Sequence, residues 1–248
     1  MSISQIYAQK TPATATNTAI SEPTPSTNDT YGLKEKIFRE SLKYGDLLVA
    51  KQALYEMIVL KPDMKNLKDS LAYIYVNLGA FREAILLSRE ITDKDPNNIG
   101  VLEVKAIAEQ SLGLSKEALT SYETLFSKTK NVFHQYQIAS LQYELKRIQE
   151  CVNTVDQILS TAEIEKKELN IGTGTRGQLQ RVNLKAAAFN IKGVLAMDLN
   201  QMDVAKQLFD EALKLTPEFV LAKNNAAFVV EKMKPAAKST PAPKAPKK

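Results

Sequence analysis

The sequence predicts an all-α protein made of stacked helical hairpins, and three observations support this fold class. Residues 189–217 contain two runs with helical spacing of apolar side chains, separated by a short break. Small side chains recur along the chain at intervals close to 34 residues. Prolines close three of the resulting units, where helices must end. A single hairpin cannot bury its own apolar face, so the pattern predicts several copies in contact.

The clearest hairpin is predicted over 185–199 and 203–215. Phe189, Gly193 and Ala196 share one face of its first helix. Its second helix carries Leu208, Phe209, Ala212 and Leu215 on one side, and Asp203 lies near its positive amino end. Gly193 and Ala205 are small where the two helices are expected to cross, because a larger side chain there would hold the backbones apart.

The same pattern recurs upstream. The small residue that opens the second helix is found at Ala50, Ala84, Ala118, Cys151 and Ala205, with steps of 34, 34, 33 and 54 residues. The turn before it is marked by Gly45, Gly79, Gly113, Lys146 and Asn200. The bulky position after it is held by Leu54, Ser88, Tyr122, Val155 and Phe209. Pro62, Pro96 and Pro217 follow three of the second helices.

This set of small, aromatic and proline positions resembles the tetratricopeptide repeat (TPR) over roughly residues 31–219. The chain departs from the family at Lys146, at Cys151 and at Lys130, where a closing proline is expected, and it has no tryptophan. The resemblance implies a right-handed α-solenoid of about five TPR-like hairpins plus a C-terminal capping helix. It also implies a concave inner face, lined mainly by the first helix of each hairpin, at which such proteins usually bind partners.

The predicted boundaries follow from this register. A disordered leader covers 1–30, and repeats cover 31–64, 65–98, 99–131, 132–165 and 186–219. The insertion at 166–185 is expected to form a flexible loop at 171–177, followed by a backward extension of the next helix over 178–185 by about two turns. The capping helix is predicted at 220–233, with Ala226, Ala227 and Val230 inward, and a disordered Lys/Pro/Ala tail covers 234–248.

Charge and composition exclude several classes of protein. The formal net charge is +5, and the tail alone carries five lysines and no acids, so the remainder is neutral. A neutral body argues against nucleic-acid binding by the folded part. One cysteine permits no intramolecular disulfide, and no apolar run has the length of a membrane span. Residues 6–9 resemble the end of a bacterial secretory signal cleaved after Ala8; a truncated signal predicts a cell-envelope or periplasmic protein, and an ordinary leader a cytoplasmic one.

No combination of residues predicts an enzyme, a cofactor or a metal. Gly172, Gly174 and Gly177 match the dinucleotide fingerprint in spacing, but the preceding segment is predicted to be helical, whereas the motif requires a strand. Anion binding by Arg176 and the free N–H groups of this loop remains open. His134 is the only histidine, which disfavours zinc, and Cys151 is predicted to pack as a small apolar residue.

The predicted function is protein–protein interaction. Equivalent positions on the first helices form three columns on the inner face, which include the predicted partner-binding residues Glu35, Arg39, Asp69, Tyr73, Val76, Glu103, Ile107, Gln110, Tyr136 and Tyr143. Some chaperone-binding TPR proteins hold a peptide carboxylate with Lys and Asn at these positions. This chain has Glu35, Asp69 and Glu103 in one such column, so a partner segment with apolar and basic side chains is expected.

We therefore predict a non-enzymatic scaffold or adaptor that binds a protein partner in the inner groove. Two alternatives stay open: an anion- or nucleotide-binding role for the 172–177 loop, and a self-associating structural protein. The acids could instead form a solvated face with local salt bridges.

Overall fold

The computed structural model describes residues 26–162, 164–173 and 178–234. The predictions for the secretory-signal remnant, the lysine tail, Gly174, Arg176 and Gly177 lie outside the described residues. The described chain divides into two compact units, one ending at Asp63 and the other beginning at Met64. No helix in the described part has the length and apolar character needed to cross a membrane.

The first unit is a hairpin of α1 (Thr27–Lys43) and α2 (Leu47–Leu60). Ser26 caps α1 by accepting a hydrogen bond from the Asp29 N–H, and helix therefore starts four residues before the predicted first repeat. Asp46 caps α2 through the Val49 N–H. Ala50, Ala53, Leu54 and Met57 form the buried face of α2.

The second unit contains four further hairpins and a last helix. The first hairpins consist of α3 (Lys65–Asn77), α4 (Phe81–Lys94), α5 (Ile99–Ser111) and α6 (Ser115–Thr129). The next consist of α7 (Val132–Glu144), α8 (Ile148–Leu159), α9 (Leu184–Asp198) and α10 (Met202–Leu215), followed by α11 (Val220–Met233). Each helix packs on the next, and α3 contacts α5, α7 contacts α9 and α9 contacts α11. The first helices α3, α5, α7 and α9 thus form one face, called the inner face below.

The predicted turn residues all adopt the left-handed backbone conformation. Gly45, Gly79 and Gly113 have φ values of 71°, 71° and 72°, and Lys146 and Asn200 have 60° and 57°. In each turn the N–H of the following residue returns to a carbonyl five residues back, as from Ala80 to Tyr75 at 2.8 Å, which satisfies an orphan carbonyl of the helix end. The predicted repeat register is confirmed at all five turns.

The predicted small residues all occupy helix crossings. Ala50, Ala84, Ala118, Cys151 and Ala205 are fully buried, as are Leu54, Val155 and Phe209 one turn later. α2, α4 and α10 end two residues before Pro62, Pro96 and Pro217. α6 has no such proline and instead ends at Lys130, whose φ is 53°.

The prediction for the insertion was wrong. Residues 168–172 and 179–183 form an antiparallel β-hairpin of strands β1 (Glu168–Gly172) and β2 (Leu179–Asn183), and α9 begins only at Leu184. Successive side chains of each strand point to opposite faces of the hairpin. Leu169, Ile171 and Val182 lie on one face and pack into the cores around α9. Asn183 ends the strand and caps α9 by accepting from the N–H groups of Lys185 and Ala186. This cap prevents the predicted backward extension of the helix.

The hairpin is fastened to the junction of α10 and α11. The Gln180 side chain donates to the Glu218 carbonyl and accepts from the Val220 N–H at 3.0 Å. The Asn183 N–H donates to the Thr216 hydroxyl at 3.2 Å. The insertion is therefore a packed element of the fifth repeat.

The capping helix α11 has its predicted bounds but a different inward face. Ala222 and Val229 are buried, whereas Ala227 and Val230 are exposed and Ala226 is partly buried. The reason is Asn225, which turns inward and donates to Asn190 of α9 at 3.0 Å, rotating the helix relative to the prediction.

Candidate functional site

Two predicted site residues lie in the first unit, on α1. Glu35 and Arg39 are one helical turn apart, and Arg39 Nη2 lies 2.7 Å from Glu35 Oε1. They thus form a local ion pair on an exposed surface, which contributes little to stability. The remaining eight predicted residues lie in the second unit.

On α3, Asp69 and Tyr73 both face the start of α5. Asp69 Oδ2 accepts from Asn98 Nδ2 at 2.9 Å, and Asn98 Oδ1 in turn caps α5 through the Val101 N–H at 3.2 Å. The Tyr73 hydroxyl lies so close to the Cα of Gly100 that a methyl group there would overlap it. Asp69 and Tyr73 therefore help to set the position of α5, while Tyr73 as a whole residue stays 44% exposed.

Glu103 of α5 is the centre of an acidic cluster. Its carboxylate lies 3.6 Å from His134 Nε2 of α7. Burial raises the pKa of the Tyr73 phenol, and the charges of Glu103 and Asp69 raise it further. Burial likewise raises the pKa of Tyr122, again with a contribution from Glu103. The Glu103 carboxylate therefore acts on both phenols, and the Asp69 carboxylate acts on that of Tyr73.

His134 is held from its other side by α6. Its Nδ1 lies 3.0 Å from Thr129 Oγ1, and that hydroxyl donates to the Leu125 carbonyl at 2.8 Å. The Thr129 hydroxyl thus links His134 to the last turn of α6, while Nε2 faces Glu103 of α5. The predicted solitary histidine is thus a contact between repeats. Among the residues with described positions, no three His, Cys, Asp or Glu side chains are grouped as metal ligands.

The middle of the inner face carries both apolar and polar side chains. Ile107 is 37% exposed on α5, one turn after Glu103, and Val76 is half-buried on α3. Gln110 donates to Gln137 of α7 at 3.2 Å and accepts from the Tyr122 hydroxyl at 3.1 Å. Tyr73, Glu103 and Ile107 consequently form an open patch across α3 and α5, which we call the α3–α5 patch.

Tyr136 and Tyr143 of α7 have other surroundings. Tyr136 is largely buried beside Leu169 and Val182 of the β-hairpin, and burial raises its pKa to about 12. The Tyr143 hydroxyl donates to Asp198 Oδ2 of α9 at 2.9 Å, and burial, followed by Asp198, raises its pKa to about 12. The structure therefore brings together Asp69, Tyr73, Glu103 and Ile107, and it places Tyr136 in the packing beneath the hairpin.

A buried charged group that the sequence did not single out lies between α5 and α6. Glu109 is almost fully buried, and its Oε2 accepts from the Ser121 hydroxyl at 2.6 Å. Lys105 Nζ lies 3.5 Å from the other carboxylate oxygen. The spacing of Lys105 and Glu109 by four residues was visible in the sequence, but such pairs are common on exposed helices.

The glycine-rich segment does not have the context of a nucleotide fingerprint. Contrary to the prediction of helix before it, strand β1 ends at Gly172, and the next described element is strand β2, with which it pairs in a hairpin. The dinucleotide motif needs a strand, a turn and a helix in sequence. Cys151 is fully buried, its Sγ lies 3.2 Å from the Ala139 carbonyl, and burial raises its pKa to about 11.

Comparison with known proteins agrees with this repeat geometry. A family model described as tetratricopeptide repeat matches residues 186–219, which is the fifth hairpin. The crystal structure of a tetratricopeptide repeat protein from Parabacteroides merdae ATCC 43184 superposes with a TM-score of 0.66 at 19% identity, over 82% of this chain and 73% of that one. Residues 186–219 thus match the tetratricopeptide repeat family, and the chain shares the fold of this structure.

Two further TPR-like structures are similar at the level of fold. MamA from Desulfovibrio magneticus RS-1 gives a TM-score of 0.62 at 13% identity, over 77% of this chain and 97% of that one. YrrB, a TPR protein with an unusual peptide-binding site, gives 0.59 at 13% identity, over 75% and 87%. No curated protein sequence matches the chain. The chain thus has an all-α TPR-like solenoid fold, which in general serves as a protein-interaction scaffold.

Proposed function

We propose that this protein is a non-enzymatic scaffold that binds an extended partner segment on its inner face, at the α3–α5 patch. The observation that carries the proposal is the exposure of Tyr73 and Ile107 on neighbouring first helices, with Glu103 exposed one turn before Ile107 on α5. Exposed apolar groups in register on adjacent repeats commonly mark an interaction surface.

The chemistry of the patch favours a partner with an apolar and a basic side chain. The Tyr73 ring and Ile107 offer apolar area, and the ring face also attracts a cation. Glu103 and Asp69 supply negative charge near the Tyr73 hydroxyl. A lysine or arginine of the partner can therefore contact the ring and a carboxylate together, with a charge-assisted hydrogen bond as the stronger interaction.

The proposed footprint is shorter than the full set of predicted residues. Val76 and Gln110 border the patch, while Tyr136 is covered by β1 and β2, so the partner segment ends before α9. Tyr143 lies on the same helix as Tyr136, where its hydroxyl is engaged by Asp198. Glu35 and Arg39 lie in the first unit and are not part of this footprint.

The test uses peptides selected from a random displayed library against the full chain. Their affinities are measured by calorimetry with the wild-type protein and with Tyr73→Ala and Glu103→Lys. We expect selected peptides to contain an aromatic or aliphatic residue near a Lys or Arg. Each substitution should weaken binding by about tenfold or more, which corresponds to roughly 1.4 kcal/mol.

The matched control is Glu123→Lys, which makes the same charge change at an exposed position of α6. It should leave the affinity unchanged. Binding through Glu103 should also weaken with added salt, since exposed charges are screened beyond about 8 Å at physiological ionic strength. Unchanged affinity in both inner-face variants, with helicity intact, would exclude the patch as the binding site.

A further inference from the structure

The second helix of the first unit carries an apolar stripe that faces solvent. Leu48, Tyr55 and Val59 of α2 are 63%, 42% and 80% exposed. Tyr55 and Val59 border a cleft of about 430 Å³ between α1 and α2, which is also lined by Lys34 and Glu56. The stripe does not include any residue of the α3–α5 patch.

Every other repeat has polar residues at the positions of this stripe. The counterparts of Leu48 are Arg82, Lys116, Gln149 and Asp203. Those of Tyr55 are Arg89, Glu123, Asp156 and Asp210. Those of Val59 are Asp93, Ser127, Ser160 and Lys214. The fold itself therefore tolerates charge at these positions, and the apolar stripe of the first repeat has another cause.

The spacing along α2 is that of a helix-pairing seam. Leu48, Gln52, Tyr55 and Val59 follow one another at steps of four, three and four residues, the a/d pattern of two packed helices. Gln52 is the one polar member, and its side chain is satisfied locally by Glu56 at 3.0 Å. A single polar residue at such a seam commonly fixes register.

We propose that this stripe is an interface between two copies of the chain, with the two α2 helices antiparallel about a two-fold axis. In that arrangement Val59 of one copy packs on Leu48 of the other, and Gln52 lies near Tyr55 of the other. A two-fold interface pairs a surface with itself, so its charges must not repel. The ion-paired Lys34 and Glu56 give the cleft one charge of each sign, which satisfies this condition.

The size of the face indicates a weak dimer. A helix of 14 residues is about 21 Å long at 1.5 Å per residue. With α1 beside it at about 9 Å, the face covers on the order of 400 Å² per copy. This area is at the low end for protein interfaces, so dissociation in the micromolar range is expected.

Sedimentation equilibrium of the full chain from about 1 to 200 μM tests the dimer and its affinity. The wild type should pass from monomer to dimer within this range. Val59→Lys and Leu48→Lys should weaken the association by at least about tenfold while helicity is unchanged, because both side chains are exposed in the monomer. The matched control is Leu86→Lys on α4, which is 67% exposed and should associate as the wild type does.

Cysteine cross-linking tests the arrangement independently of the lysine variants. Under mild oxidation a mixture of Gln52→Cys and Tyr55→Cys chains should form covalent heterodimers, because these positions face each other. A mixture of Thr120→Cys and Glu123→Cys chains, the exposed counterparts in the third repeat, should not. A chain that remains monomeric throughout the concentration range overturns the proposal. In that case the stripe would be covered by the leader or by another protein, and not by a second copy. Association that survives Val59→Lys, or that is lost equally in Leu86→Lys, also overturns it.

Discussion

Gly193 of α9 lies directly against the ring of Phe209 of α10. A Cβ built at Gly193 would approach Cε1 of Phe209 to 2.5 Å and Cδ1 to 2.8 Å, both far closer than carbon atoms pack. The ring is fully buried, so it cannot move away without disturbing its neighbours. The close crossing of these two helices therefore requires the absence of a side chain at Gly193.

Gly193→Ala is expected to lower the free energy of unfolding by about 1–3 kcal/mol, because overpacking of a filled crossing outweighs the better helix propensity of alanine. Urea denaturation followed by circular dichroism measures the change. Gly32→Ala is the control, since nothing lies within 4 Å of its added Cβ in α1. That variant should be neutral or up to about 1 kcal/mol more stable. Equal effects of the two substitutions would contradict the crossing.

Ala205→Glu is expected to destabilise by about 4 kcal/mol or more, since it buries an unpaired carboxylate at a fully buried position. Val204→Glu makes a similar change one residue earlier, where the side chain is 45% exposed. Thermal melting should show a large decrease for the first variant and almost none for the second. A small shift for Ala205→Glu would place this residue outside the helix crossing.

Gln180→Ala tests how firmly the β-hairpin is fastened. It removes both side-chain hydrogen bonds to the backbone at the junction of α10 and α11, at an expected cost of about 1–3 kcal/mol. Hydrogen exchange of the amides in β1, β2 and the first turn of α11 should become faster. The control is Arg181→Ala, whose side chain is exposed and pairs with Glu168. Comparable exchange in the two variants would mean that Gln180 does not anchor the hairpin.

Alkaline pH is expected to destabilise the protein through its buried phenols. Burial raises the pKa of Tyr136 from 10.0 to about 12, so folding favours the neutral phenol. This contribution is complete below pH 10, the ordinary value, and is lost as the pH rises toward 12. Tyr136→Phe should reduce the loss of stability in this window by on the order of 2 kcal/mol. The measurement is the free energy of unfolding at increasing pH, with phenolate absorbance recorded in parallel. If the stability of Tyr136→Phe followed the wild-type curve, the alkaline loss would not come from this phenol.

The repeat register could be predicted from the sequence because it depends on local sterics. Gly45, Gly79 and Gly113 suit a left-handed turn, and their spacing located Lys146 and Asn200 in equivalent turns. Asparagine is itself common in this conformation, whereas lysine is not, so Lys146 was located by spacing alone. Likewise, the buried status of Cys151 followed from its place in the series of small residues. These inferences required no knowledge of how one repeat is oriented on the next.

The β-hairpin was missed, although the sequence contained a signal for it. Leu169 and Ile171 alternate with polar residues before a glycine-rich turn, and β-branched Val182 follows it, which is a hairpin pattern. The surrounding helical repeats favoured helix for this segment. The Asn183 cap, which decides where α9 starts, is the second signal that could have located the strand.

Side-chain pairs between repeats could not be predicted. The columns placed Asp69 and Glu103 on the inner face, but their contacts with Asn98 and His134 depend on the tilt of one helix against the next. Helix crossing angles vary by about 15–20° within one packing class. A shift of that size decides whether two polar groups hydrogen-bond or remain solvated.

In the proposed complex, the β-hairpin also limits the length of partner sequence that the inner face can contact. From α3 to α7 the inner face spans two interhelical distances, or about 20 Å. An extended chain covers that length with about six residues at 3.3 Å each. A hexapeptide of this kind can occur in otherwise unrelated proteins, so several different partners could compete for the same surface. Their local concentrations would then decide which of them is bound.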